Sequence, residues 1–481
     1  MSGARLTALL ALGSSLAVLF AAGATARSES ATALPPSSRL QTAIFDQVAF
    51  GGAAAAQAFR RAHDTGATAT RLVLLWNHVA PASPAADFDP ADPADPGYNW
   101  TAFDQQVRLA VAQGLEPIVN IFGAPTWATE REVRGGDYKP DPDKLAAFAT
   151  AAATRYAGSF QDLPRARYWQ LWNEPNLALF LRPQLIGKTV YSADWYRRML
   201  NAFAAAVHGV HADNSVIAGS TSPFTSRAGK RTSWGPGPLL FLREVLCLSK
   251  ELRPTCSERA QFDIWAHHPY TSGGPRHRAS AADDVSLGDL PRMRAALDAG
   301  ARTGRIATTQ KLRFWVTEFS WDTNPPDPNA MPIALQTRWV SEALYRMAQS
   351  GVSLVTWYLI RDEPLSSPYQ SGLYFRRGRP KPSLQAFRFP FVAFRKGAAV
   401  NVWGRTPSEE PGTVVVEHRT DGGWRRLGTL TSNSLGVFRG RFSAPSGEWM
   451  RARLTSGAEA SRPFSLTEPA DRYYRPFGEP G

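Results

Sequence analysis

Glu174 closes an apolar run, Tyr168-Trp169-Gln170-Leu171-Trp172-Asn173-Glu174-Pro175-Asn176. Pro175 has no N–H to give to a strand ladder, and it drives the residue before it out of the helical region. A strand must therefore stop here, with Asn173 and Glu174 at its C-terminal end. Glu318 ends a second such run, Phe314-Trp315-Val316-Thr317-Glu318-Phe319-Ser320. Two carboxyl groups brought to one cleft can divide acid–base and nucleophilic work. One keeps a proton for a leaving oxygen while the other, ionised, attacks carbon, which is what breaking a glycosidic bond requires. A lone glutamate in such a place reads as a helix cap or an ion-pair partner. Two at matching strand ends, inside a regular alternation of strands and helices, make that plainer reading improbable.

That alternation must position them. Short apolar runs expected as strands are Gln41 to Asp46, Thr70 to Trp76, Pro117 to Ile121, Tyr168 to Asn173, Val216 to Ala218, Phe262 to His268, Leu312 to Glu318 and Ser353 to Tyr358. Helical stretches separate them: Ala53 to Asp64, Trp100 to Gln113, Asp143 to Ala157, Ser192 to His211, Pro238 to Ser249, Leu287 to Ala301 and Pro332 to Ser350, with a short one at Ser383 to Phe387. Gly66, Gly114 and Gly351 mark helix stops. Eight β/α alternations predict a (β/α)8 TIM barrel over residues 40–388, whose C-terminal strand ends carry the chemistry. From about Phe389 the pattern changes to short strands between Gly, Pro, Asp and Ser turns. These are Val400 to Trp403, Val414 to His418, Trp424 to Leu430, Val437 to Phe442 and Met450 to Leu454, a small all-β sandwich over residues 389–468.

Trp172-Asn173-Glu174-Pro175-Asn176 followed by Val316-Thr317-Glu318-Phe319 resembles glycoside hydrolase clan A, most like its family 39 and family 5 (cellulase-like) branches. The resemblance covers roughly Leu40 to Phe387 and not the C-terminal part. It implies a retaining hydrolase with Glu174 as acid/base and Glu318 as nucleophile. It implies that Arg71 holds Glu318 ionised, although an ordinary ion pair elsewhere in the barrel is the other reading. Asn173 would bond the sugar 2-hydroxyl, while also being a residue type suited to ending a strand. His268 or Tyr270 would touch the nucleophile or the sugar at the reacting bond. His267 should point the opposite way along the strand, so one of the two histidines is structural. Trp357 resembles the aromatic platform beneath that sugar, with barrel core as its alternative. Trp76, Asn77, Trp127 and Trp321, just past other strand ends, are weaker candidates for sugar contact.

The chain has 481 residues, 43% hydrophobic and 20% charged, which suits a soluble globular protein of at least two domains. Its Trp 15 and Phe 25 are numerous; most must be core, but aromatic faces also suit the C–H faces of sugars. The net charge of +13 is spread as Arg along the chain with sparse Lys. Nucleic-acid binding wants such charge clustered, so no nucleic-acid partner is expected, and acidic polymers are the minor alternative. Residues 1–26 read as a secretory signal peptide: Arg5, an apolar run from Leu6 to Ala22, then Ala24-Thr25-Ala26 as a cleavage site. The expectation is a secreted or cell-envelope protein with no stable membrane insertion after cleavage. Cys247 and Cys256, the two cysteines, are then expected to form a local disulfide. No metal-site spacing appears, and no cofactor is expected.

The carbohydrate substrate reading has two rivals: a non-catalytic carbohydrate-binding barrel, and a surface protein that works through its sandwich. Loss of either glutamate would favour the first; both are present. The sugar itself is left to the loops around Pro81 to Pro96, Arg131 to Pro140, Thr221 to Trp234 and Asn324 to Met331, where length and composition carry little information.

Overall fold

Eight parallel strands close on themselves: β1 (Gln41–Phe45), β2 (Ala69–Leu75), β3 (Glu116–Phe122), β4 (Tyr168–Leu171), β5 (Ser215–Thr221), β6 (Ile264–His267), β7 (Arg313–Phe319) and β8 (Val352–Tyr358). Their cyclic order is β1-β8-β7-β6-β5-β4-β3-β2. Helices α1 (Ala55–Asp64), α2 (Thr101–Ala112), α3 (Pro142–Arg155), α4 (Tyr191–Val210), α5 (Pro238–Val245), α6 (Leu290–Arg302) and α7 (Ile333–Gln349) return the chain, and α8 (Pro382–Arg388) follows β8. This computed structural model describes residues 39–130, 137–224, 235–408, 410–467 and 469. The expected signal peptide, residues 1–26, lies outside them.

Strands covered on both faces explain why the sequence shows continuous apolar runs. Inside the barrel a small core of Ala43, Ala69, Ile118, Ile217, Ile264, Ala266, Trp315 and Leu354 fills the axis. Outside, a far larger core packs strands against helices. Local chemistry sets the helix ends. Asp141 caps α3, accepting from the N–H groups of Asp143 and Lys144, with Pro142 in the first turn.

Three strands differ from expectation by more than one residue; β5 runs to Thr221, three positions past Ala218. β4 stops at Leu171 because Trp172 (φ 65°) and Glu174 (φ 39°) take left-handed backbone, which no strand continues. β6 starts at Ile264, since Ala260 and Gln261 pair instead with Ile306 and Ala307 in a separate ribbon.

The C-terminal strands form two sheets. One is β9 (Phe391–Lys396), β10 (Ala399–Arg405) and β13 (Val437–Ser443); the other joins β12 (Gly423–Thr431), β11 (Thr413–Thr420), β14 (Trp449–Leu454) and β15 (Phe464–Ser465). β9 and β15 are additions to the sequence reading. The sandwich is fixed to the barrel's outer helices: Tyr345 of α7 packs against Phe394 at 5.5 Å and Trp403 at 5.6 Å. Buried Arg405 donates to the Gly66 carbonyl at 3.2 Å and to Thr42 Oγ1 at 3.4 Å, at the foot of the barrel. Cys247 and Cys256 are joined by a disulfide. No helix among the described residues is long and apolar enough to cross a membrane.

Candidate active site

Two one-residue bulges aim the site. β7 pairs with β8 through Val316↔Val355 and then Phe319↔Trp357, three steps against two. Before the bulge Trp315 points into the barrel and Val316 out. Across it Thr317 and Glu318 both turn to the barrel mouth, and Phe319 returns to the outer core. Such an insertion re-aims a side chain that simple alternation would bury elsewhere.

β5 carries the second bulge, where Gly219↔Ala266 is followed by Thr221↔His267. The extra residue, Ser220, has φ 51°. Its carbonyl accepts the Glu174 N–H at 3.0 Å. Gly219 is required there: with φ 88°, a Cβ would sit 2.6 Å from Trp265 and from the Ala266 carbonyl.

The side chains then converge. Arg71, on β2 and 1% exposed, donates to Glu318 Oε2 at 2.9 Å and to Asn173 Oδ1 at 2.8 Å. Its guanidinium lies 4.6 Å over the Phe45 ring. Tyr270 donates its hydroxyl to Glu318 Oε1 at 2.8 Å. His268 Nδ1 lies 3.1 Å from Glu174 Oε1, and Nε2 lies 3.2 Å from Thr317 Oγ1. The structure thus brings together Arg71, Asn173, Glu174, His268, Tyr270 and Glu318. His267 points away, bonded to Thr221 Oγ1 and the Val285 carbonyl, both at 2.8 Å.

Burial sets the charge states. It pushes the Glu174 carboxyl up to about 7, against the pull of Arg71. It pushes His268 down to about 3, so this imidazole is neutral at neutral pH. It raises the Tyr270 hydroxyl well above its ordinary range, helped by Glu318, so Tyr270 remains a donor.

Trp357 is not among the residues at the mouth. It is 1% exposed, packs on Phe387 at 6.0 Å and Phe319 at 6.1 Å, and donates to the Ser371 carbonyl at 2.9 Å. Leu354 faces the barrel axis, so Tyr358, four positions on, shares its face, whereas Trp357 faces the helices. On β8 the aromatic that faces the mouth is therefore Tyr358. It meets Phe45 at 5.3 Å and Tyr369, in the loop after β8, at 5.1 Å. Counting from Leu354 would have found Tyr358; nothing in the loop's sequence marks Tyr369.

Of the weaker candidates, Trp76 stacks on Phe148 at 5.3 Å and Trp321 meets Trp339 at 5.7 Å, both in the core. Asn77 donates its N–H to the Gly123 carbonyl. Trp127 is half-buried and donates to the Pro81 carbonyl at 2.8 Å. Among the described residues no cluster of His, Cys, Asp and Glu could hold a metal ion.

No family model matches this chain, and no curated protein sequence does. Solved structures do. A family 39 glycoside hydrolase from the gut symbiont Bacteroides cellulosilyticus is 16% identical, with a TM-score of 0.53 over 85% of this chain and 81% of that one. A monomeric β-xylosidase from Caulobacter crescentus is 16% identical, with a TM-score of 0.48 over 80% of this chain and 83% of that one. A glucosidase from Croceicoccus marinus is 13% identical, with a TM-score of 0.48 over 85% and 94%. At such identity the first of these likenesses establishes a shared fold, the (β/α)8 barrel with its appended strands.

Proposed function

We propose that this protein is a retaining O-glycoside hydrolase acting on a poly- or oligosaccharide, exported by residues 1–26. One observation carries the reading: two glutamates meet at the barrel mouth in opposite environments. Glu174, raised to about 7 by burial, keeps a proton. Glu318 has a donor on each oxygen, Arg71 and Tyr270, an arrangement that steadies a carboxylate anion.

In the first step Glu318 attacks the anomeric carbon while Glu174 gives its proton to the departing oxygen. The glycosidic bond breaks and a glycosyl ester forms on Glu318. In the second step Glu174, now a carboxylate, takes a proton from water, whose oxygen displaces Glu318. Asn173, whose Oδ1 accepts from Arg71 at 2.8 Å, would bond the sugar hydroxyl beside the anomeric centre. His268 Nδ1 is 3.1 Å from Glu174 Oε1 and 4.0 Å from Glu318 Oε2. The sum of those distances, about 7 Å, is the most that can separate the two oxygens, and the retaining separation of roughly 5–5.5 Å fits within it.

The test is a screen of aryl glycosides and polysaccharides, with the first-formed product anomer read by NMR. Retention is expected, and Glu318→Ala should lose turnover and regain it with azide, giving an inverted glycosyl azide. An inverted product from the unaltered enzyme, or near-normal turnover by Glu318→Ala, would reject the scheme.

A further inference from the structure

One buried amine organises the loop after β8. Lys381 Nζ donates to Asp362 Oδ1 at 2.6 Å, Thr323 Oγ1 at 2.7 Å and the Gln370 carbonyl at 2.9 Å. Neither the lysine nor the aspartate side chain reaches solvent. A buried ammonium is tolerated when paired and fully hydrogen-bonded, and here each of its three protons has an acceptor.

Those acceptors come from three places: the start of the loop, its far limb, and the segment after β7. Gln370 is held on its other side too, its N–H donating to Asp322 Oδ1 at 2.8 Å and its side chain to the Pro364 and Ser367 carbonyls at 3.0 and 2.7 Å. Gly372 N–H donates to Asp362 Oδ1 at 2.9 Å.

Tyr369 precedes this anchored residue. Its carbonyl accepts the Glu363 N–H at 3.1 Å, and its half-buried ring stands edge-on to Tyr358. Burial raises its hydroxyl, and the charges of Glu318 and Glu174 add to that, so the phenol lies within the field of both carboxyl groups. From Arg71 through Phe45 and Tyr358 to Tyr369, the rings line one side of the mouth.

We infer that Tyr369 is a substrate-binding residue that packs on the sugar at the reacting bond, and that Lys381 is the positioning residue that holds it there. This rests on the glycosidase reading. An aromatic face takes the C–H face of a pyranose ring, but only when fixed at the right height. The loop lacks a regular element to do that, and the Lys381 bonds supply the fixing.

The test uses the 4-nitrophenyl glycoside that the unaltered enzyme hydrolyses fastest. Tyr369→Ala should raise KM about tenfold with the melting temperature almost unchanged. Lys381→Met should raise KM by a similar factor and speed hydrogen exchange at the Gln370 and Gly372 amides, with the barrel strands unaffected. Because it strands the Asp362 carboxylate, the neutral pair Lys381→Met/Asp362→Asn is made beside it. Combining either with Tyr369→Ala should add little, since the lysine acts through the tyrosine. A normal KM for Tyr369→Ala, or losses that simply multiply, overturns the inference while leaving the hydrolase reading intact. An unaltered enzyme that hydrolyses no glycoside overturns both.

Discussion

His268 holds Glu174 through a 3.1 Å hydrogen bond at Nδ1, a distance at which an ion pair could form. The charge states argue otherwise. Burial lowers the imidazole to about 3 and raises the carboxyl to about 7. Between those values both partners are neutral, so the contact joins a carboxylic acid to an uncharged ring and leaves Glu174 its proton.

The first prediction follows from that. kcat/KM should fall as pH rises through about 7, where Glu174 loses the proton it must donate. Substrates with 2,4-dinitrophenol as leaving group need little protonation and should show a flatter alkaline limb. Glu174→Gln should abolish that limb and slow substrates with poor leaving groups by about 100-fold or more. Paired pH–rate profiles on the two substrate types check it.

A second prediction concerns stability, where the same Glu174→Gln change that harms catalysis should help. Glu174 binds its proton more tightly folded, near 7, than its ordinary 4.5. The stabilisation from that proton is complete below about 4.5 and lost as pH rises through about 7. At pH 8 the fold holds a carboxylate that burial disfavours. Glu174→Gln should therefore be more stable than the unaltered protein at pH 8, on the order of 2 kcal/mol. The gain should vanish at pH 4. His267 and His268, both lowered to about 3, act the other way, losing stability as pH falls from about 6.5. The His267 share is common to both proteins and cancels in the comparison; His268 touches residue 174, so its share cancels only where the 3.1 Å contact survives the substitution. Urea unfolding at the two pH values measures it.

Arg71 offers a third. It serves Glu318 and Asn173 at once, from a position that is 1% exposed. Arg71→Met should lower kcat by about 100- to 1000-fold, since it removes a preorganised charge in a dry site. Arg71→Lys should not restore it, because a single ammonium cannot copy the fork that reaches both partners. Steady-state kinetics on an activated aryl glycoside distinguish these outcomes, with circular dichroism confirming the fold.

Much of this was readable in the sequence, for physical reasons. Pro175 bars a strand from running past it, and β4 does stop short of it, at Leu171, three positions before Glu174. Strands buried on both faces must be continuously apolar, and three of the helices between them stop at Gly66, Gly114 and Gly351. The two bulges were not readable. Ser220 and the extra residue at Thr317-Glu318 insert single positions that leave no mark on hydropathy, yet they decide which side chains face the mouth. The Trp357 expectation rested on a resemblance to an aromatic platform near the end of strand eight; strand parity puts this residue on the outer face, so its alternative, barrel core, is what the structure has. Tyr369 was out of reach because its place depends on Lys381 and Asp362, which fold back from both ends of a loop without regular structure.

That parity yields the last prediction. Trp357 and Tyr358 are adjacent, yet one faces the helices and the other the mouth. Trp357→Ala should empty a volume bounded by Phe319 and Phe387 and lose the bond to the Ser371 carbonyl. The expected loss of stability is about 3–5 kcal/mol. Tyr358 is half-buried against Phe45 and Tyr369, so Tyr358→Leu keeps an apolar side chain there and should lower stability by no more than about 1.5 kcal/mol. It should instead raise KM, because the ring lost is one that borders the carboxyl groups. Urea midpoints and KM values for the two variants decide the matter. If Tyr358→Leu is the one that unfolds easily and Trp357→Ala the one that binds substrate poorly, the two faces of β8 have been assigned the wrong way round.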